Sequence, residues 1–293
     1  MPEATVLIPT FDHGPLIRHA LAAAQGQTER DLEIFVVGDG APAITREIVE
    51  RAAADDPRIR YFENPKGERH GERHRHRALR EATGRVVCYL SDDDLWFPDH
   101  VATMTELLTE ADFAGGLQGW FHPDGWIYGQ ACDLSLRQYR SPRTKLGIKM
   151  GLSTGAHTLA FYRRLPEGWR PAPPDVFTDQ YMWRQILATP GCRAVSSFRP
   201  TGIGFSSTLR THMSLEERGR EIERWAAAIA DPVRLQRLRE EILVANLRDA
   251  TRDANYYAER RGLRPVAAAL RRQPQLRRFF RWLRGRGRTP PAR

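Results

Sequence analysis

Cysteine is scarce in this chain. The three residues, Cys88, Cys132 and Cys192, are widely spaced and odd in number, with no Cys-x-x-Cys pair among them. A zinc site or dithiol redox motif of the usual spacing is therefore excluded, and the three read as thiols packed as small hydrophobes. Long apolar runs are missing too. A stretch such as Val86 to Leu90 falls far short of the roughly 20 residues a bilayer requires, and the first residues lack a basic-then-apolar export signal. The expected location is cytoplasmic. No internal repeat is visible. The excess of positive charge, +9 overall, is absent from most of the molecule. From Arg260 onward there are 12 arginines and no acid, which leaves 33 bases against 36 acids elsewhere. A body near −3 gives no electrostatic footprint for nucleic acid, and none is expected as a partner.

What is present is enough apolar material for a core: 41% of 293 residues, one large domain or two modest ones by length. "ATVLIP" is a short β-branched run, and "GPLIRHALAAAQGQT" after it places Leu16, Ala20, Leu21 and Ala24 at helical spacing. "LEIFVVGDG" followed by "APAITREIVERAAADD" repeats the unit, "IRYFEN" gives a third strand, and "RHRALREATG" with "RVVCYLSDDD" a helix and a fourth strand. Strands alternating with helices of this length predict an α/β fold with a parallel sheet covered on both faces. In such sheets ligands sit beyond the carboxyl ends of the strands, where "PTFDHG", "GDGAP" and "SDDD" would gather. Residues 113 to 163 read as short strands and glycine-rich loops, "DQYMWRQIL" as a short helix, and residues 216 to 257 as mostly helical.

Asp92, Asp93 and Asp94 follow the fourth strand directly. Three neighbouring carboxylates repel one another and are costly to desolvate, so their ionised forms need compensating positive charge. A divalent cation with oxygen ligands, Mg²⁺ or Mn²⁺, meets that need, because such ions take one or two carboxylates and complete their shell with water and phosphate oxygens. The competing reading is an acidic turn capping a helix that starts near Pro98.

Four motifs in order resemble glycosyltransferase family two, the inverting, nucleotide-sugar-dependent enzymes with the GT-A fold. "VLIPTFD" is similar to that family's opening strand, and "IFVVGDGA" to its second, with Gly38 replacing the first aspartate of the usual pair and Asp39 keeping the second. "HRHRALREATGRVVCYLSDDDLWFPDHV" resembles the helix, glycine and aspartate motif. "TDQYMWRQIL" resembles the Glu-Asp helix, with Thr178 where glutamate is common. The match runs over roughly residues 4 to 187.

The resemblance implies a mixed sheet flanked by helices, with a GT-A domain over residues 1–215 made of a nucleotide half (1–112) and an acceptor half (113–215). A helical extension (216–262) and an arginine-rich tail (263–293) follow. It implies transfer of a sugar from a nucleoside diphosphate sugar, uridine first among the candidates, to a glycan or lipid-linked acceptor in cell-surface polysaccharide or glycoconjugate synthesis. In that scheme Asp93 holds the metal, Asp92 contacts the donor ribose, and Asp94 holds the loop or a metal-bound water. Pro9, Thr10, Phe11 and Asp39 line the nucleoside pocket. Arg75 and His76 match an Arg-Asn pair facing the donor, with Arg69 in place to neutralise diphosphate. Asp179 is the general base, with helix N-cap as its competing role. His212 sits where a late histidine often reaches the metal.

"GERHGERHRHR" invites a metal reading through His70 and His74, which would share a helical face only if the helix began before Gly71. In the tail, Phe279, Phe280 and Trp282 interleave with arginines, a composition suited to an anionic membrane surface and hence to a peripheral position on the inner face of the cell membrane. Two other functions fit parts of the pattern. A sugar-phosphate nucleotidyltransferase would want a glycine-rich loop with Arg where "PTFDHG" stands, and a catalytically silent membrane-associated scaffold would accommodate Gly38 and Thr178.

Overall fold

The computed structural model describes residues 1–136 and 150–260. The anticipated alternation is there: β1 (Ala4–Thr10), α1 (Ile17–Gln25), β2 (Leu32–Gly38), α2 (Ala43–Asp55), β3 (Ile59–Phe62), α3 (Glu72–Arg80) and β4 (Val86–Tyr89). These four strands are parallel, in the order β3-β2-β1-β4. β1 and β4 are buried on both faces, which is why they read as continuous apolar runs rather than as alternating ones. Each fully buried Val, Leu or Ile side chain contributes about 1.5–3 kcal/mol. Val6, Ile8 and Cys88 face α1, α2 and α4 (His100–Leu107), whereas Leu7, Val87 and Tyr89 face the opposite layer with α3.

The chain runs outward from β1 to β2 and β3, then returns to place β4 on the other flank of β1, so the strand order reverses between β1 and β4. Pairing with β4 ends at Leu7–Tyr89, whereas pairing with β2 continues to Thr10–Gly38. The sheet forks there, and a crevice at such a switch point is where open α/β sheets take ligands.

Beyond β4 the sheet turns mixed. β8 (Gly155–Thr158) pairs antiparallel with β4 and with β6 (Phe113–Phe121), and β9 (Ala194–Gly204) runs parallel to β6. β5 (Leu95–Trp96) closes the far edge on β9, and β7 (Ile127–Gly129) folds back on β6. The 11-residue β9, "AVSSFRPTGIG", carries no clear strand signature: its first half is polar, and Pro200 coincides with a shift in register against β6. Two short helices, α5 (Leu159–Tyr162) and α6 (Thr178–Ala188), cover the β8 side.

α7 (Leu215–Ala230) starts with a full capping box between Ser214 and Glu217, and α8 (Pro232–Arg260) packs along β7 and β9. Ile222, Leu238 and Ile242 join Phe97, Phe121 and Phe205 in a third apolar cluster. No described helix is long and apolar enough to cross a membrane. The arginine-rich tail lies outside the described residues.

Candidate active site

Each loop that the sheet model gathers at the carboxyl edge contributes to one corner. The three aspartates are all buried, which an exposed capping turn would not require. Helix α4 begins at His100, with Asp99 at its N-cap position, so the triplet is not its cap.

The three carboxylates have separate partners. Asp92 Oδ1 lies 2.7 Å from His13 Nδ1. Asp93 Oδ2 accepts from Ser207 Oγ and from Arg218 Nη2, both at 2.7 Å. Asp94 accepts from Ser153 Oγ at 2.5 Å and from the Phe205 backbone N–H at 3.0 Å, which ties β9 to the β4 loop. It holds the loop.

Burial lowers the His13 imidazole, but its hydrogen bond to Asp92 and the charges of Asp92 and Asp93 outweigh that and push it up to about 9. Burial raises Asp93 against the pull of His13 and Arg218. Asp94, pushed by burial and then by the charge of Asp93, reaches about 7. Within the chain itself, then, His13 and Arg218 provide the compensating charge.

His13, Asp92 and Asp93 each offer one ligand atom within 4.8 Å of the others, and Asp92 Oδ2 is buried with no partner among the described residues. One imidazole and two carboxylates suit Mn²⁺ or Mg²⁺, and a buried carboxylate oxygen without a protein partner has a lone pair available to a cation. The residues fit the metal.

His13 was not anticipated from the sequence. Its signal was its position, three residues past the end of β1 at the switch point. His212 is exposed and not part of this cluster; the charge that it influences is that of Glu217 at the start of α7.

On the β2 side, Asp39 is buried and accepts from Gly67 N at 2.6 Å and Lys66 Nζ at 2.8 Å. Gly71, at φ +71°, lets the chain pass against it, since a Cβ there would come 2.6 Å from Asp39 Cγ. Gly38 makes room in the same way: a Cβ would stand 2.7 Å from Tyr61 Oη. Tyr61 occupies the space that an aspartate at position 38 would need. Pro9 is half-buried, Thr10 Oγ1 is buried without a partner among the described residues, and Phe11 is 43% exposed with Lys66 Nζ 4.9 Å from its ring centre.

Helix α3 begins after Gly71, so His70 lies outside it, and the two histidines do not share a helical face. His74 bonds the Pro65 carbonyl and His76 bonds Tyr162 Oη, both structural contacts. Arg69 reaches the carbonyls of Pro173 and Pro174.

Arg75 is buried over the Trp169 ring and donates to the His70 carbonyl, but its Nε and Nη1 have no partner among the described residues. Burial lowers its pKa, opposed by the charges of Glu72, Tyr89, Asp179 and Asp39 in that order. Asp179 is not the N-cap of α6, a position held by Phe177; it lies in the first turn and accepts from Gln180 N at 2.7 Å. Burial pushes its carboxyl up to about 6, against hydrogen bonds from the Gln180 and Leu152 backbones and the charge of Arg75. Trp183 is fully buried among Phe113, Tyr89 and Trp169, a core residue.

Residues 5–166 match the model of Glycosyl transferase family 2. The chain belongs to glycosyl transferase family 2. Among curated relatives, the GalNAc(5)-diNAcBac-PP-undecaprenol beta-1,3-glucosyltransferase of Campylobacter jejuni is 32% identical over 110 residues, 38% of this chain and 36% of that protein. The succinoglycan biosynthesis protein ExoW of Rhizobium meliloti is 32% identical over 114 residues, with the same shares. The matched stretch thus spans about a third of either relative. Among solved structures, the mannosyltransferase PcManGT of Pyrobaculum calidifontis, in complex with GDP-Man and Mn²⁺, superimposes with a TM-score of 0.52 at 21% identity over 96% of this chain and 84% of that one. A fragment of S. aureus TarS with UDP-GlcNAc gives 0.55 at 17% identity, over 84% and 72%. The fold is GT-A, as the motifs implied.

Proposed function

We propose that this family 2 member transfers a sugar, with inversion, from a nucleoside diphosphate sugar to a glycan or lipid-linked acceptor in cell-surface polysaccharide or glycoconjugate synthesis. A uridine donor is the first candidate; the TarS fragment is bound to UDP-GlcNAc and the mannosyltransferase to GDP-Man, both nucleoside diphosphate sugars but only the first a uridine one. The observation that carries the reading is the His13–Asp92–Asp93 cluster at the switch point, supported by the charge coupling of Arg75 to Asp179 and to Asp39.

His13, Asp92 and Asp93 would hold Mn²⁺ or Mg²⁺, which supplies positive charge to the departing diphosphate. The orphaned Arg75 N–H groups offer a second site for that charge. Thr10, Phe11 and Asp39 line the space for the nucleoside. Asp179, with a carboxyl near 6, is ionised at neutral pH and more basic than an ordinary carboxylate, which suits a general base. In a single displacement, the acceptor oxygen bonds to the anomeric carbon as that carbon's bond to the diphosphate oxygen breaks. The electron pair leaves with the diphosphate, and the acceptor proton passes to Asp179.

Thermal melting with UDP, GDP and dTDP, each with and without Mn²⁺, tests the donor side. One nucleotide should stabilise the protein only together with the metal, by about 2–3 kcal/mol at a hundredfold excess over its dissociation constant. Asp93→Ala should abolish that response. Silence from all three nucleotides in the wild type would leave a non-catalytic scaffold as the better account.

A further inference from the structure

The β6–β7 hairpin carries an aromatic strip that the donor chemistry does not use. Trp120 and Tyr128 are cross-strand partners with rings stacked at 6.2 Å and 20°. Trp126 continues the strip, 5.4 Å from Tyr128, and is 48% exposed. His122 stacks on Trp126 at 4.6 Å. The tight turn through Gly125, at φ +85°, brings these rings together. The hairpin's other face is already used: Phe121 and Ile127 pack with Leu238 and Ile242.

The strip leads into the candidate active site. Trp120 lies over two glycines: a Cβ on Gly151 would come within 2.9 Å of its ring and one on Gly204 within 3.0 Å. Gly204 adjoins Phe205, whose N–H holds Asp94, and Gly151 opens the turn whose Leu152 backbone holds Asp179. Gln118, two residues before Trp120 and so on the same face, is 95% buried, and its Nε2 has no partner among the described residues. A buried amide donor without a partner, beside half-exposed rings over bare glycines, is the composition of a ligand site.

We propose that Trp120, Tyr128 and Trp126, with Gln118, form the acceptor subsite, and that its occupant is a chain of neutral pyranose rings rather than a lipid carrier alone. A pyranose has one face of axial C–H bonds and a rim of hydroxyls. The C–H face complements the negative π-face of an indole or phenol, and the rim accepts from an amide such as Gln118 Nε2. Successive rings on the hairpin would track successive sugars, with the terminal hydroxyl directed over Gly151 toward Asp179. The inference rests on the glycosyltransferase reading above and names the acceptor class for that site.

Saturation-transfer NMR and calorimetric titration with cellotetraose and chitotetraose test it on the full chain. The wild type should bind at least one of them with a millimolar constant, about 1–10 mM. Trp126→Ala, a change at an exposed position, should weaken binding about five- to tenfold, and Trp126→Phe should restore most of it. Trp120→Phe, which keeps a ring over the glycines, should weaken it less than Trp126→Ala does. No saturation transfer to either sugar at about 50 mM, or unaltered binding by Trp126→Ala, would overturn the subsite. So would self-association of the wild type that Trp126→Ala abolishes, which would assign the strip to a second copy of the chain. Tetrasaccharide binding without any nucleotide response would keep the platform and count against the donor reading instead.

Discussion

Arg218 Nη2 lies 2.7 Å from Asp93 Oδ2, both side chains buried, so a cation from α7 stands against one carboxylate of the candidate metal cluster. The pair is an alternative to the metal for neutralising Asp93. Removing one member of a buried ion pair costs about 3–5 kcal/mol because the other is left uncompensated. Arg218→Gln should therefore melt well below the wild type in chelator, and added Mn²⁺ should recover more stability in the variant than it confers on the wild type. Melting curves with EDTA and with Mn²⁺ check this. An equal or smaller metal increment in Arg218→Gln would mean that Arg218 and the ion do not share a site.

Glu72 is a fully buried carboxylate that accepts from Thr178 Oγ1 and from the His70 N–H, and it is the strongest charge sustaining the Arg75 guanidinium. It supplies a negative charge beside α6 where the sequence has Thr178 instead of the commoner glutamate. Glu72→Gln leaves Arg75 buried with weaker compensation, so urea denaturation should show a loss of about 2–4 kcal/mol. A change under about 0.5 kcal/mol would show that Arg75 draws its compensation from elsewhere.

The parallel half of the fold was legible because β1, β2 and β4 are apolar enough to bury both faces and helices of ordinary length separate the parallel strands. The acidic corner was legible in Asp92 and Asp93 because neighbouring carboxylates at a strand end call for compensating positive charge. His13 and Arg218 were not. His13 is a lone histidine in a loop, without meaning until the fork between β1 and β4 brings it to Asp92. Arg218 lies 125 residues from Asp93 in the chain, one arginine among many on a helix. β9 escaped notice because half of its pairing surface is polar. The aromatic strip was invisible because Trp120 and Tyr128 meet only once the hairpin register is known.

Gly38 and Tyr61 form a volume-matched pair, with Tyr61 Oη filling the place of a side chain at position 38. Gly38→Ala should cost about 1–3 kcal/mol by overpacking. Adding Gly38→Ala to a Tyr61→Ala background should cost clearly less, since the obstructing ring is gone. A double-mutant cycle of denaturation free energies reads the coupling directly. Additive costs would mean that Tyr61 swings aside freely and that Gly38 is there for another reason.

Asp179, with its carboxyl raised to about 6 by burial, makes activity and stability respond to pH in opposite directions. As the proposed general base it would work only when ionised, so transfer should be low near pH 5, rise through about 6 and level off above 7, with nucleotide binding unchanged by Asp179→Asn and transfer reduced by about 10²–10⁴. For stability, the folded protein holds this proton more tightly than the unfolded chain does. The group's contribution is therefore fully present below the ordinary aspartate value of 3.8 and is lost as pH rises through about 6. Asp179→Asn removes the cost of ionising a half-buried, desolvated carboxyl, so relative to wild type the variant should gain melting temperature at pH 7.5 over pH 4. The other first-turn interaction, the Gln180 N–H, can still bond the asparagine oxygen, which keeps the helix start intact in the comparison. A pH–rate profile without a limb near 6, together with an Asp179→Asn enzyme of near-normal turnover, would assign proton removal to a different group.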